Sequence, residues 1–277
     1  MKNFIVFFVL ATLLSFTACE ASQESTDAPT EDFDASIIQG TWEMTHHMPA
    51  DTNEVIPVDH TVYKIYTKDH FRFIAYNADS ISLLGGGTYT ITRDSFTENL
   101  QFMTMDMTDA PKSLTFSHKI EGNTFAQSGI IPSLGGGEGQ NYKLEERYKK
   151  VEASIVEPSD HPYVGLWRMM HTQNGDATEV TLIPDSISRM KTITPGHFLI
   201  VSWSKNSLMP ISAVFGSQKM EDGKYIETVI ANTMNAEMNG VTIPYSAEGK
   251  NNTFRMYGEM PYNGDIFKLD EQYTRVE

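Results

Sequence analysis

The 277-residue chain contains one cysteine, Cys19, so no disulfide can form within it. Basic residues are also scarce, because 21 Lys and Arg face 36 Asp and Glu and leave a formal net charge of −15. That balance argues against nucleic acid as a partner and against direct electrostatic binding to anionic lipid. The sequence has no Ser-His-Asp pattern, no CxxC and no HExxH. We therefore expect no enzyme activity, no catalytic residues, no cofactor and no bound metal.

Long apolar runs are also few. The run from Phe4 to Phe16 is too short to span a membrane as a helix, and it follows a basic residue, Lys2. The segment Phe16-Thr17-Ala18-Cys19 resembles a bacterial lipobox, with Phe16 where leucine is commoner. We expect removal of residues 1–18 as a lipoprotein signal peptide and lipidation of Cys19; ordinary secretion with a free thiol is the alternative. Residues 19–36 carry six acids and no base, which predicts an acidic disordered tether.

The chain repeats itself. Tyr142–Glu152 (YKLEERYKKVE) recurs 125 positions later as Phe267–Glu277 (FKLDEQYTRVE), and the Gly-x-Trp segment at Trp42 recurs with the same offset at Trp167. A duplication found at both ends of a unit indicates two tandem copies of one domain. We expect two separate cores, with repeat 1 over residues 37–152, a linker over 153–162 and repeat 2 over 163–277.

Within each repeat the apolar residues follow period two rather than a helical period. Phe71, Phe73 and Ala75, for example, alternate with more polar neighbours. Turn signals recur about every ten residues, which predicts about eight short antiparallel strands per repeat in a closed barrel or a sandwich. We interpret the Gly85–Gly87 cluster as a hairpin turn, and His70 and His197 as turn residues at strand starts.

Several of these segments resemble a known family. Gly-x-Trp on the first strand, Lys64–Asn77 (KIYTKDHFRFIAYN), Gly85-Gly86-Gly87-Thr88-Tyr89 and Phe96-Thr97-Glu98 are similar to the lipocalin-like, calycin-type domains of unknown function in Bacteroidetes lipoproteins. Repeat 2 is less similar, since the Gly-Gly-Gly-Thr-Tyr segment has no counterpart around Gly216. The resemblance implies two tandem lipocalin-like antiparallel β-barrels. It also implies that a basic residue of the last strand covers the first-strand tryptophan, as a structural contact that closes each barrel: Lys150 over Trp42, and Arg275 over Trp167.

Polar residues that recur between the copies are candidate site residues. In the last strand of each repeat the recurring glutamate shares its face with Leu144 and Tyr148 or with their counterparts, so we expect it to point inward. The recurring carboxylates and lysines are Glu98, Glu146 and Lys64 in repeat 1 and Glu227, Glu271 and Lys191 in repeat 2. They could form a salt-bridge network inside the barrel, the polar floor of a ligand cavity, or a catalytic carboxylate pair of the glycosidase type.

These features together predict a lipid-anchored protein of the bacterial cell envelope. We expect an outer-membrane anchor with both domains in the periplasm or at the cell surface, and a small, apolar or amphiphilic ligand in one or both barrels. The alternative is a non-enzymatic structural or protein-interaction lipoprotein with filled barrels, because about 115 residues leave little room beyond a core. The sequence identifies no protein partner. An internal cavity would favour the binding function.

Overall fold

The computed structural model describes residues 33–49, 53–77, 80–105, 112–132, 141–151, 161–174, 179–250, 252–262 and 264–277. The predicted signal peptide, Cys19, most of the tether and most of the linker lie outside these residues. Residues 33–277 belong to one compact unit. In the described part of the chain, no helix is long and apolar enough to cross a membrane.

Repeat 1 folds into a closed antiparallel barrel. Eight strands form the barrel by pairing in the order β1-β3-β4-β5-β6-β7-β8-β9, and β9 closes back on β1. The two-residue strand β2 pairs with the end of β1, at His46 and His47, beyond the part of β1 that pairs with β3. The strands are β1 (Gly40–His47), β2 (Ile56–Pro57), β3 (Thr61–Tyr66), β4 (His70–Asn77), β5 (Ser80–Ile91), β6 (Phe96–Met103), β7 (Ser113–Glu121), β8 (Thr124–Ile131) and β9 (Tyr142–Lys150).

Repeat 2 has the same topology, with β18 closing on β10 and the short β11 as the extra strand. The prediction of an all-β chain with two antiparallel barrels is therefore confirmed. Short 3-10 helices lie at Ala35–Ile38 and Ala236–Met238. The strands are β10 (Gly165–Asn174), β11 (Thr181–Leu182), β12 (Ile187–Ile193), β13 (His197–Ser204), β14 (Pro210–Glu221), β15 (Lys224–Asn232), β16 (Thr242–Lys250), β17 (Thr253–Tyr262) and β18 (Asp265–Arg275).

The Gly85–Gly87 cluster is not a hairpin turn, so that interpretation was wrong. The three glycines lie inside β5, where the register with β6 shifts between Gly86 and Gly87. A Cβ at Gly87 would collide with the carbonyl oxygen of Asn99. Repeat 2 has the same irregularity. The register of β14 with β15 shifts at Gly216, and a Cβ there would collide with the carbonyl oxygen of Thr228. Gly216 is thus the structural counterpart of Gly87, and both mark a bulge that needs close backbone approach.

Apolar side chains form three clusters rather than the two expected. One cluster lies inside each barrel. A third contains residues of both repeats, among them Ile65 and Phe102 from the first and Leu199 and Trp203 from the second. Phe102 stacks on Trp203 with the ring centroids 4.4 Å apart. The buried guanidinium of Arg72 lies over the same two rings, 5.3 and 5.8 Å from their centroids. The two barrels therefore share a packed interface of their own.

Polar contacts cross this interface as well. The buried hydroxyls of Thr41 and Thr194 are 2.8 Å apart. The Glu277 carboxylate accepts from the backbone N–H of Asp69 at 2.6 Å and lies 3.0 Å from Nδ1 of His70. His70 and His197 do begin strands, as expected, but they contact the other repeat rather than serving as simple turn residues. The ring of His197 is buried against Phe215 and lies 5.4 Å from Tyr63 of the first barrel.

We expect His197 to make stability depend on pH. Burial lowers the pKa of His197 to about 4, against 6.5 for an ordinary histidine. Because the folded-state pKa is the lower one, the stabilising contribution is complete above pH 6.5 and is lost as pH falls towards 4. The difference corresponds to about 3 kcal/mol. Urea unfolding at pH 7.5 and pH 4 should show that His197→Phe, which keeps a stacked ring, loses less stability on acidification than the wild type. An equal loss in both proteins would show that His197 does not titrate in this way.

Candidate functional site

Each barrel has a tryptophan on its first strand, opposite a basic residue of its last strand. Lys150 Nζ lies 5.2 Å from the ring centroid of Trp42, and the guanidinium carbon of Arg275 lies 4.2 Å from that of Trp167. Both indoles are buried, and their N–H groups donate to the carbonyls of Ile38 at 2.6 Å and Tyr163 at 2.7 Å. The structure thus places each basic residue over the tryptophan with which the family resemblance paired it. The arrangement ties the last strand to the first and needs no ligand.

In the first barrel, both inward carboxylates share one ammonium. Lys64 Nζ donates to Glu98 at 2.9 Å and lies 3.5 Å from Glu146. Tyr66 also donates to Glu98, at 3.1 Å. Glu146 accepts from Tyr148 at 2.6 Å and from Gln127 at 2.7 Å. Each carboxylate therefore has an ionic contact and at least one neutral donor. This is the satisfied salt-bridge network that the sequence offered as one of its three interpretations.

The second barrel has the same residues with a different pairing. Lys191 Nζ lies 2.5 Å from Glu227, and the side chain of Lys191 is fully buried. Its ammonium also lies 3.3 Å from the sulfur of Met256 and between 5.2 and 5.7 Å from three aromatic ring centroids. Glu271 accepts from Tyr273 at 2.5 Å. Among the described residues, no basic group lies within 4.0 Å of the Glu271 carboxylate, and burial raises its pKa.

A single substitution between the copies explains much of this asymmetry. Gln127 follows Phe125 on β8, and Met256 follows Phe254 on β17, so the amide that donates to Glu146 is replaced by a thioether beside Glu271. The register agrees, since Gln127 pairs with Glu146 and Met256 pairs with Glu271. A thioether is a poor hydrogen-bonding group, so Glu271 loses a donor that its counterpart keeps.

A cavity of about 270 Å³ lies inside the second barrel, and the carboxylates of Glu227 and Glu271 line it. Arg189 on β12 lines it too, two residues before Lys191 and therefore on the same face of the strand. Comparison of the two repeats missed Arg189 because its counterpart in the first repeat is Val62. Its spacing of two residues from Lys191, which places both side chains on one face of the strand, was the signal that could have identified it. The apolar part of the wall is rich in flexible thioethers, from Met169, Met234, Met238, Met256 and Met260.

A larger cleft of about 640 Å³ lies between the two barrels, where the first strands β1 and β10 begin. Lys68, Lys150 and Arg275 line it. Two of these cations are already engaged, because Lys150 donates to the carbonyl of Ile37 and Arg275 to that of Val164 while each covers a tryptophan. We therefore assign this cleft a structural origin and take the barrel cavity as the candidate site. In the described parts of the chain, no group of three or more His, Cys, Asp and Glu could hold a metal ion.

Comparisons with known proteins agree with the fold. The family model described as "Domain of unknown function (DUF4488)" matches residues 37–159, which contain the whole first barrel. No curated protein matches the chain. A crystal structure of an uncharacterized protein from Saccharomyces cerevisiae is similar over 86% of this chain and 97% of that one, at 12% identity and a TM-score of 0.52.

Two further structures match at TM-scores too low to carry an argument. The alignment with an uncharacterized protein from Bacteroides eggerthii covers 39% of this chain and 98% of that one, at 15% identity and a TM-score of 0.26. The alignment with a mutant of Transferrin Binding Protein B from Haemophilus parasuis covers 85% of this chain and 75% of that one, at 9% identity and a TM-score of 0.26. The comparisons thus agree with the fold, and the first barrel is similar to the DUF4488 family model.

Proposed function

We propose that this protein is a lipid-anchored, non-enzymatic component of the bacterial cell envelope that binds a small, partly apolar ligand in its second barrel. The observation that carries the proposal is the cavity of about 270 Å³ with the Glu271 carboxyl in its wall. A buried carboxyl without an ionic partner is costly in an apolar interior. A ligand that donates to Glu271 while filling the apolar space would offset that cost.

The size of the cavity limits the ligand. A water molecule occupies about 30 Å³ in the liquid, so the space corresponds to roughly nine waters, or a ligand with on the order of ten non-hydrogen atoms. Ligand pockets usually start at about 300 Å³, which places this one at the small end. Methionine side chains adapt their shape to what they contact, so the wall suits a short flexible chain.

We assign the first barrel a structural role. Its two interior carboxylates are engaged by Lys64, Tyr66, Gln127 and Tyr148, which leaves no carboxylate short of a partner. The alternative function, an interaction lipoprotein with filled barrels, fits this first barrel better than the second. It would apply to the whole protein if the second cavity took no ligand.

The membrane anchor is proposed from the sequence. The short apolar run, the lipobox-like residues before Cys19 and the acidic segment that follows favour lipidation at Cys19, with a tether that holds the barrels away from an anionic surface. Outer-membrane attachment, with the barrels in the periplasm or at the cell surface, is part of the same proposal.

Mass spectrometry of the protein purified from its own host tests both parts. The denatured protein should begin at Cys19 with an acyl mass attached, and the native protein should carry a co-purified small molecule. Val229→Phe, on the cavity wall, should lose that molecule, since the larger ring takes part of the space. Its counterpart in the first barrel, Leu100→Phe, should retain it. Overpacking costs about 1–3 kcal/mol in a filled core, so Leu100→Phe should be at least as destabilising as Val229→Phe and controls for a general loss of stability.

The lipid anchor and the ligand-binding cavity can be contradicted independently of each other. An unmodified thiol at Cys19 would overturn the anchor, and retention of the ligand by Val229→Phe would overturn the choice of cavity. A native spectrum without any bound molecule, together with no binding of added ligands, would favour the interaction lipoprotein.

A further inference from the structure

Two opposite charges in the wall of the second cavity lack ionic partners. Arg189 Nε donates to the hydroxyl of Ser202 at 2.7 Å, and its Nη1 lies 3.8 Å from the sulfur of Met169. Glu271 accepts from Tyr273. Within the described part of the chain, neither side chain has an oppositely charged group within 4.0 Å. The charges of Lys191 and Glu227, by contrast, compensate each other at 2.5 Å.

Arg189 and Glu271 approach the cavity from opposite sides of one strand. β10 pairs with β12, which carries Arg189, on one edge and with β18, which carries Glu271, on the other. Two strand spacings place the backbones of β12 and β18 roughly 10 Å apart, so both side chains can reach a small group bound between them. The charge of Arg189 already acts on Glu271, but from farther away than an ion-pair contact. The first barrel has no such arrangement, because it holds Val62 in place of Arg189 and ion-pairs Glu146 with Lys64.

We propose that this cavity selects a small zwitterionic amphiphile, an inference that rests on the proposed function. The ammonium of the ligand would donate to Glu271, its anionic group would accept from Arg189, and its apolar chain would lie against the methionines. Charge-assisted hydrogen bonds of this kind are the strong ones, and the guanidinium fork suits a carboxylate. A purely cationic or purely anionic ligand would leave Arg189 or Glu271 without an ionic partner inside the barrel, which is unfavourable.

Four probes with one eight-carbon chain separate the head groups: 2-aminooctanoic acid (a zwitterion), octylamine (a cation), octanoate (an anion) and octanol (uncharged). Isothermal titration calorimetry with the full chain at pH 7 should give the zwitterion the tightest binding, by roughly tenfold or more over each of the others. Octanol should bind weakly, through the apolar wall alone.

Substitutions at Glu271 and Arg189 test which charged group of the ligand each side chain contacts. Glu271→Gln should lower the affinity for 2-aminooctanoic acid by roughly tenfold and leave the affinity for octanoate unchanged or higher. Arg189→Gln should lower the affinity for both compounds. The exposed Glu259→Gln, on β17 outside the cavity wall, is the matched control and should change nothing. Unchanged octanol binding in each variant would show that the cavity is still folded.

The outcomes distinguish this inference from the proposed function. If octanol or one singly charged probe binds as tightly as the zwitterion, the zwitterion inference is overturned and the binding function stands. If neither Glu271→Gln nor Arg189→Gln lowers the zwitterion's affinity, the inference is also overturned, even when that probe binds best. If none of the four binds, the proposed function itself loses its support.

Discussion

Replacing Glu227 by glutamine should lower the free energy of unfolding by about 3–5 kcal/mol, the range for breaking a buried ion pair from one side. Lys191 is fully buried, and Glu227 is its ion-pair partner among the described residues. The variant leaves that ammonium against aromatic faces and a thioether, with Glu271 acting on it only from beyond ion-pair distance. The upper end of the range is close to the cost of removing a proton from an ordinary lysine at pH 7, about 5 kcal/mol.

The duplicated barrel supplies the matched control. Glu98→Gln makes the same change beside Lys64, which keeps Glu146 at 3.5 Å, so its cost should be clearly smaller. Chemical denaturation of both variants at pH 7 measures the difference. The double change Lys191→Met with Glu227→Gln should recover much of the loss, because it removes the stranded charge. Equal costs for Glu227→Gln and Glu98→Gln would show that the two networks are energetically equivalent.

The inward phase of the carboxylates could be predicted because the chain contains two copies of one domain. Glu146 and Glu271 recur on a face that also carries recurring aromatic residues, and a period of two assigns that whole face to one side of the sheet. The pairing of Trp42 with Lys150 came from the family resemblance, and the closing register of β1 with β9 places these two residues opposite each other.

The same comparison could not reveal what differs between the copies. Arg189 faces the cavity without a basic counterpart, and Met256 replaces a glutamine, so both are invisible to a search for recurrence. The cavity itself depends on how side-chain volumes fill one barrel, and period-two patterning carries no information about that volume. Gly85–Gly87 were placed in a turn because glycine is common in turns, whereas close approach of two strands was the actual requirement.

The interface between the barrels was missed for a related reason. Each repeat was expected to bury one face of its sheet, so outward apolar residues such as Ile65, Phe102, Leu199 and Trp203 had no assigned partner. They pack against one another and form the third cluster. A large apolar interface makes two domains behave as one cooperative unit, in contrast to domains joined only by a linker.

The coupling between the barrels determines how the unfolding transition should respond when Trp42 or Trp167 is replaced. Trp42→Ala and Trp167→Ala should each cost about 3–5 kcal/mol, the usual range for removing a large buried aromatic side chain, since both indoles are at most 1% exposed. Because the third cluster connects the barrels, each variant should shift one shared unfolding transition rather than a transition of its own repeat.

Differential scanning calorimetry on the full chain measures both the number of transitions and their midpoints. Lys150→Met removes the cation above Trp42 and keeps the ring; it should cost only about 0.5–1 kcal/mol, which separates the loss of packing from the loss of the cation–π contact. Two resolved transitions, of which Trp42→Ala moves one and Trp167→Ala the other, would contradict the coupling. The barrels would then unfold as the two separate cores that the duplication alone predicts, and Phe102 and Trp203 would contribute contact without cooperativity.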